Sequence, residues 1–403
     1  MKPLSYITEE FTESVIREMT RICDAVGGFN LSQGFPDFEA PQEIKDAAVQ
    51  AILNDCNQYP VTFGESKLRE AIARKVAGYN KIKCDPETDI TVTCGATEAM
   101  IATLKAVLNP GDEIIIFEPF YENYGPDAIL SGAKPRYVTL YPPNWDYSSE
   151  ELAAAFNNNT KAVIINTPNN PTGKVFSRKE LEEIASLCLK WDSLAITDEV
   201  YEHILYDGEE HISIASIDGM GDRTVTISSI SKTYSLTGWR VGWAIAHEKI
   251  TSRIRKVHDF LTVGAPTPFQ VAATFALNMP ESYYEGLRLR YTLSRDFLFD
   301  LLSHVGFKPY LPKGAYYIMT QIEELMKKLS VHDDFTFSKK LIELTGVATV
   351  PGTSFYASPN KGINQVRFCF CKKRETLENV EKRLRRIRGL CDRLVQQTLG
   401  RAR

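Results

Sequence analysis

The chain of 403 residues has no CxxC pair among its eight cysteines, no histidine spacing of the kind that holds a metal, and no apolar run long enough to cross a bilayer. Thiols scattered in this way are expected to be reduced and mostly buried, not a disulfide framework. Cys369 and Cys371 form a CxC, but no second cysteine or histidine pair lies near enough in sequence to complete a metal site. Charge of either sign is not in excess: a net charge of -4 gives nucleic acid and anionic membrane no electrostatic hold, so small molecules are the expected ligands. The opening residues, Met1-Lys-Pro-Leu-Ser5, begin no apolar signal segment, and the expected compartment is the cytoplasm. Repeats and low-complexity linkers are missing as well. Cys94-Gly-Ala-Thr-Glu-Ala99 lacks the GxGxxG of a dinucleotide-binding turn, which argues against a Rossmann dehydrogenase. The stretch before residue 30 is too short for a winged helix-turn-helix, which argues against a ligand-sensing DNA-binding regulator.

What is present is an ordinary globular composition, 43% hydrophobic and 24% charged, in a chain longer than one core usually holds, so two domains are expected. Residues 5–25 have the pattern of one helix with a mixed polar face, and Asn30-Leu-Ser-Gln-Gly-Phe-Pro-Asp37 breaks it with turn formers. A second irregular segment, Asn57-Gln-Tyr-Pro-Val-Thr-Phe-Gly64, precedes Leu68, Ile72 and Val76 at helical spacing. Short β-rich runs at 89–93, 113–117, 161–165, 194–197, 224–227 and 241–246 are interleaved with helical stretches such as 98–108 and 178–190. That alternation predicts a mainly parallel sheet covered on both faces. From about residue 280 a long arginine-rich helix, 281–304, leads into a smaller mixed region with strand candidates at 315–319 and 365–370. The last helix carries Leu377, Val380, Leu384, Ile387 and Leu394 on one face, and the basic positions from Lys382 to Arg388 are expected to be solvated.

Ligands of parallel sheets sit beyond the carboxyl ends of the strands. After the strands come Gly95-Ala-Thr97, Phe120-Tyr121, the 166–173 segment, Asp198-Glu-Val-Tyr201 and Ser228-Ser-Ile-Ser-Lys232. One edge therefore collects a strand–glycine–helix turn suited to an anion, an aromatic face, a carboxylate, a phenol and a lysine. A lysine held unprotonated condenses with carbonyls. The set is consistent with one ligand bearing a phosphate, a cationic ring nitrogen, a ring hydroxyl and an aldehyde, which describes pyridoxal 5'-phosphate. Asp198 suits the ring nitrogen, Tyr201 and Asn170 the ring hydroxyl, and Tyr121 the ring face. Gly95, Ala96 and Thr97, with Ser229 and Arg240, suit the phosphate.

With Asn166-Thr-Pro-Asn-Asn-Pro-Thr-Gly173, Asp198-Glu-Val-Tyr201, Ser229-Ile-Ser-Lys232, Gly238-Trp-Arg240 and Arg367 in this order, the chain resembles the fold-type I, class I aminotransferases over nearly its whole length. Gln33-Gly-Phe-Pro-Asp-Phe38, Asn57-Gln-Tyr59, Glu118-Pro-Phe120 and His211-Ile-Ser-Ile-Ala-Ser216 bring it nearest the branch of kynurenine, glutamine and methionine aminotransferases. The resemblance implies an α/β large domain, 41–285, with a mainly parallel seven-stranded sheet between helices. It also implies an amino-terminal arm, 1–40, packed on a smaller α+β domain, 286–403. It implies a ping-pong transfer of the amino group of an L-amino acid to a 2-oxoacid. Lys232 then carries the Schiff base and later moves the substrate proton. Arg367, with Gly34 and Asn170, grips the substrate α-carboxylate. Tyr59 reaches the phosphate of a neighbouring subunit, which implies a homodimer with shared active sites.

Two positions depart from the relatives. Thr97 stands where some aspartate-preferring relatives have a basic residue, so dicarboxylates are expected to be less favoured. Ile16 stands where kynurenine-type enzymes have an aromatic residue lining the side-chain pocket, so methionine, glutamine or a related neutral donor is expected as readily as an aromatic one. An aspartate/2-oxoglutarate-type aminotransferase and a cysteine-conjugate β-lyase on the same cofactor site are the alternatives.

Overall fold

A computed structural model of the chain describes residues 2–358 and 360–401, and side chains as far as Ile387. In chain order the strands are β1 (Phe29–Asn30), β2 (Ile90–Thr93), β3 (Glu113–Glu118), β4 (Lys134–Thr139), β5 (Thr160–Asn166), β6 (Leu194–Asp198), β7 (Thr224–Ser229) and β8 (Gly242–Ile245). Then follow β9 (Lys308–Pro309), β10 (Tyr317–Gln321), β11 (Val347–Ala348), β12 (Val350–Pro351) and β13 (Gln365–Cys369). Seven of them make one sheet in the order β2-β8-β7-β6-β5-β3-β4. β8 alone runs against its two neighbours, and the other four pairings are parallel. The central strands β5 to β7 are buried almost throughout because both faces of the sheet are covered. Charge is confined to their ends, and β5 and β6 read as the apolar runs Ala162-Val-Ile-Ile165 and Leu194-Ala-Ile196. β4 is the strand that the hydrophobic pattern misses. It is an edge strand, Lys134-Pro-Arg-Tyr-Val-Thr139, and only an edge tolerates its proline and charges.

A four-stranded antiparallel sheet, β12-β13-β10-β9, forms the second body, and the parallel pair β1-β11 lies beside it. The helix Glu281–Val305 and the helix Arg374–Arg401 pack on each other there. Leu377, Val380, Leu384 and Ile387 are buried as their spacing predicts, while Arg388 and Leu394 lie outside the described side chains.

The amino-terminal segment is not one helix. A 3-10 turn, Tyr6–Glu9, is separated from α1 (Val15–Ala25), because Ser14 caps a new start by accepting from the Arg17 N–H at 3.3 Å. α1 packs on the helix Asp334–Thr345 and on β11 and β12. Further along come α2 (Gln42–Leu53), α3 (Ser66–Gly78), α4 (Gly95–Val107) and α5 (Tyr124–Leu130). α4 begins at Gly95, not at Glu98, so the Gly95-Ala-Thr97 turn is the first turn of the helix itself.

Behind the end of β6 a buried polar cluster holds the following turn. The Lys75 ammonium lies 2.5 Å from Glu202, Asn80 donates to both Glu199 and Glu202, and Ser228 donates to Glu202 at 2.9 Å. Burial alone would raise the Glu202 carboxyl, but Lys75 and the neighbouring histidines outweigh it and hold the group at about 2. Removing the cation leaves a buried charge unpaired. Lys75→Ala is therefore expected to destabilise the protein by about 3 kcal/mol, read as a lowered midpoint in urea; an unchanged midpoint refutes the arrangement.

Candidate active site

The strand ends of the large sheet and the small sheet enclose a cavity of ≈ 810 Å³. Asp198 ends β6, and its carboxylate accepts from the Tyr124 hydroxyl at 2.7 Å and the Val200 N–H at 3.3 Å. Burial raises this carboxyl above the usual range; those two donors, with Lys232 nearby, offset it only in part. A protonated ring nitrogen would complete it.

One strand over, Ser229 ends β7 and the chain turns into Ser231 and Lys232. The Lys232 amine is 3.5 Å from the Gly34 carbonyl and about 6 Å from the ring centres of Tyr201 and Tyr316. Burial lowers this ammonium to about 8, with Arg240 and Arg367 adding to the effect and Asp198 opposing it. Near neutral pH the amine thus loses its proton far more readily than a solvated lysine.

The first turn of α4 and the residues after β7 face each other at the anion end. Gly95 has φ +83°, and a Cβ there would overlap the Arg240 guanidinium, so glycine is what lets the arginine approach. Arg240 is itself left-handed, φ 55°, and donates to the Thr237 carbonyl at 2.9 Å. The Ser231 hydroxyl is buried without a partner. Free amides of a helix start, one guanidinium and an unpartnered hydroxyl are the donor set a phosphate takes.

Arg367 on β13 has no exposed surface. It donates to Asn170 Oδ1 at 2.7 Å and to the Ser32 carbonyl at 2.5 Å, and its guanidinium lies 4.2 Å from the Tyr317 ring centre. Its Nε has no partner. Asn170 is held in turn by Asn166, whose Oδ1 accepts the Asn170 N–H at 2.7 Å and whose Nδ2 donates to the Asp198 carbonyl at 3.0 Å. The Tyr201 and Tyr317 hydroxyls hydrogen-bond at 2.9 Å, and Tyr316 donates to the Gly34 carbonyl at 2.8 Å. A Cβ on Gly34 would strike Tyr317.

Of the expected site residues, Gly34, Ala96, Thr97, Tyr121, Asn170, Asp198, Tyr201, Ser229, Lys232, Arg240 and Arg367 line this one cavity, and Gly95 abuts Arg240. Ile16 lines it too. Tyr59 does not: it is 85% exposed and outside the cavity of its own chain. Sequence reasoning missed Tyr124, Ser231, Tyr316 and Tyr317. The Ser229-Ile-Ser231 spacing beside the lysine was a usable signal for Ser231; the tyrosines carried none, because their roles depend on which strand ends meet.

A large α/β body, a smaller antiparallel body and a lysine-centred cavity between them define an enzyme of the transaminase fold. The chain belongs to the aminotransferase class I and II family, whose model matches residues 26–384. It is 38% identical over 386 residues to human kynurenine–oxoglutarate transaminase 1, covering 89% of this chain and 92% of that one. It is 35% identical to the kynurenine–oxoglutarate transaminase of Dictyostelium discoideum, covering 94% and 95%. Among solved structures, N-succinyldiaminopimelate aminotransferase from Mycobacterium tuberculosis has a TM-score of 0.91 at 35% identity, covering 96% of this chain and 100% of that chain. An Escherichia coli protein with a methionine aminotransferase function has a TM-score of 0.90 at 34% identity, with the same coverage. The protein is an aminotransferase. No helix among the described residues is long and apolar enough to cross a membrane.

Asp127 on α5 also lines the cavity, 8% exposed, with its Oδ2 unpartnered. Burial raises it to about 7. The folded state then keeps a proton that the unfolded chain releases, so its contribution to stability is present at low pH and lost as pH rises from about 4 through about 7. In cofactor-free protein, Asp127→Asn is expected to flatten the fall in melting temperature between about pH 5 and pH 8. Parallel curves for parent and variant contradict the raised carboxyl.

Proposed function

We propose that this aminotransferase works with pyridoxal 5'-phosphate held at the strand ends, and that it moves the amino group of a neutral L-amino acid to a 2-oxoacid. The observation that carries this reading is the convergence of Lys232, Asp198, Arg240 and Arg367 on one cavity. When bound, the cofactor supplies an aldehyde for the amine and a cationic ring that withdraws electrons from the substrate α-carbon. Asp198, oriented by Tyr124, would keep the ring nitrogen protonated. Tyr201 and Asn170 would hold the ring hydroxyl, and Tyr121 would offer the ring an aromatic face. Ala96, Thr97, Ser229, Ser231 and Arg240 hold the phosphate, with Gly95 making room. Lys232, whose amine titrates at about 8, takes and returns the proton at the substrate α-carbon. Arg367, which has no exposed surface, binds the α-carboxylate beside Asn170 and Gly34.

The names of the relatives, kynurenine–oxoglutarate transaminases and a methionine aminotransferase, support a neutral or aromatic donor with a 2-oxoacid acceptor. Ile16 in the cavity wall favours a medium apolar donor such as methionine over a flat aromatic one. We extend the proposal to the division into an arm, 1–40, a large domain, 41–285, and a small domain, 286–403. It extends also to a homodimer. Tyr59 at 85%, Phe260 at 92% and Leu53 at 69% exposure, with Phe275, are large apolar side chains left open to solvent, more than a monomer needs to expose. The Tyr59 loop is tied to the helix Thr267–Ala276 by Thr267 donating to the Gln58 carbonyl, α2 with Leu53 packs on that helix, and Leu261 carries the surface to the cavity mouth.

Borohydride reduction of the yellow holoenzyme followed by peptide mapping is expected to find the cofactor on Lys232; another lysine would overturn the site. Arg367→Ala is expected to raise KM for all amino donors by about 100-fold or more with the cofactor still bound, the loss of a charged hydrogen-bond pair. Unchanged donor KM removes Arg367 from the site. Phe260→Asp is expected to shift the sedimenting species toward monomer and to weaken cofactor affinity; an unshifted species argues against this interface.

A further inference from the structure

Four cationic side chains line the cavity: Lys232, Arg240, Arg367 and Arg17. The proposed function occupies three. Arg17 is unassigned, and among the described residues its guanidinium makes no hydrogen bond and no ion pair. It stands in the first turn of α1, next to Ile16, and faces the cavity with Gln33, Gly34 and Tyr121. Its charge is felt at the Tyr121 hydroxyl.

The position of that turn is fixed. Ser14 caps α1 through the Arg17 N–H and donates its own hydroxyl proton to Glu122 at 2.5 Å, in the segment that follows β3. α1 itself packs against the small body, so the Ser14–Glu122 bond lays its first turn across the cavity. The anions nearby are accounted for. Glu122 accepts from Ser14 and makes no ion pair with Arg17 among the described residues, and Glu13 is paired with Arg21 at 2.8 Å.

We infer that Arg17 binds the distal carboxylate of a dicarboxylic substrate, so that the acceptor class is a five-carbon 2-oxodiacid such as 2-oxoglutarate. This rests on the proposed function, because it takes the α-carboxylate to be at Arg367 and the side chain to run along Ile16. A carboxylate at the far end of that side chain meets a planar guanidinium able to bind both its oxygens. Thr97 supplies no charge for such a group, and Arg17 supplies it from the first turn of α1. Because Arg17 is exposed, its guanidinium stays hydrated when a neutral side chain occupies the cavity. The same site can then take a neutral donor in one half-reaction and an acidic acceptor in the other.

The test compares 2-oxoglutarate with 2-oxohexanoate, whose side chain is neutral and of similar length, in wild-type holoenzyme and in Arg17→Gln. The variant is expected to raise KM for 2-oxoglutarate about tenfold or more and to leave KM for 2-oxohexanoate within about twofold. Calorimetric titration with glutarate, which cannot react, should show the same selective loss of affinity without turnover. Equal effects on both acids, or none on either, overturn the role of Arg17 and leave the transaminase reading standing. A wild type that turns over neither acid with any amino donor overturns both.

Discussion

A guanidinium with no access to solvent is the constraint on which the rest of this architecture depends. Arg367 lies on the small sheet, and its hydrogen-bond partners come from elsewhere, Asn170 after β5 of the large sheet and the Ser32 carbonyl after β1, while the rings of Tyr317 and Phe355 pack on it from its own body. A buried cation is costly unless hydrogen-bonded, so these segments must meet for either body to settle. The union is incomplete by one donor, Nε. A cation already desolvated and short of an acceptor is the kind of group that a carboxylate would complete.

The opposite wall follows the same logic with the sign reversed. Asp198 is buried and only partly compensated, and the turn that follows it is braced from behind by Glu199, Glu202, Lys75 and Asn80. Both glutamates of that polar backing have donors, and the cavity side keeps unpartnered groups at Ser231, Asp127 and Arg367. Unsatisfied polar atoms are rare in folded proteins, and the cavity sets three of them in the same lining as Lys232 and Asp198. In the Glu199–Glu202–His211 group, which brings three candidate ligands together, Lys75 and Asn80 already serve the carboxylates, as in a structural ion cluster.

Much of the large sheet is legible in sequence because its central strands are buried on both faces and cannot carry charge along their length. The same rule hides β4, an edge strand free to carry Lys134, Pro135 and Arg136. The break before α1 was hidden for another reason. Apolar spacing continues across residues 5–25, and only the cap at Ser14 with its bond to Glu122, 108 residues away, decides where the helix starts. Within the site, residues on motif segments were readable, since Asp198, Lys232 and Arg240 each have a chemical type that the ligand demands. Tyr124 and Arg17 were not, because nothing local distinguishes a tyrosine that orients a carboxylate or an arginine that faces a cavity from their solvated counterparts.

By itself the sequence determined the alternation of elements, the strand ends at which chemistry collects, and the family to which the chain belongs. Those follow from local properties: periodicity, the glycine at Gly95, and residue types in a specific order. Only the tertiary structure decided the contacts made over hundreds of residues. Arg367 reaches Ser32 and Asn170, Lys232 draws near Gly34, and Arg17 lines the same cavity as Arg367. The physical reason is that burial and charge pairing are properties of where side chains meet. Arg240 and Arg17 are both arginines in sequence; packing set one against Gly95 at the first turn of α4, and the turn that Ser14 bonds to Glu122 set the other in the cavity wall.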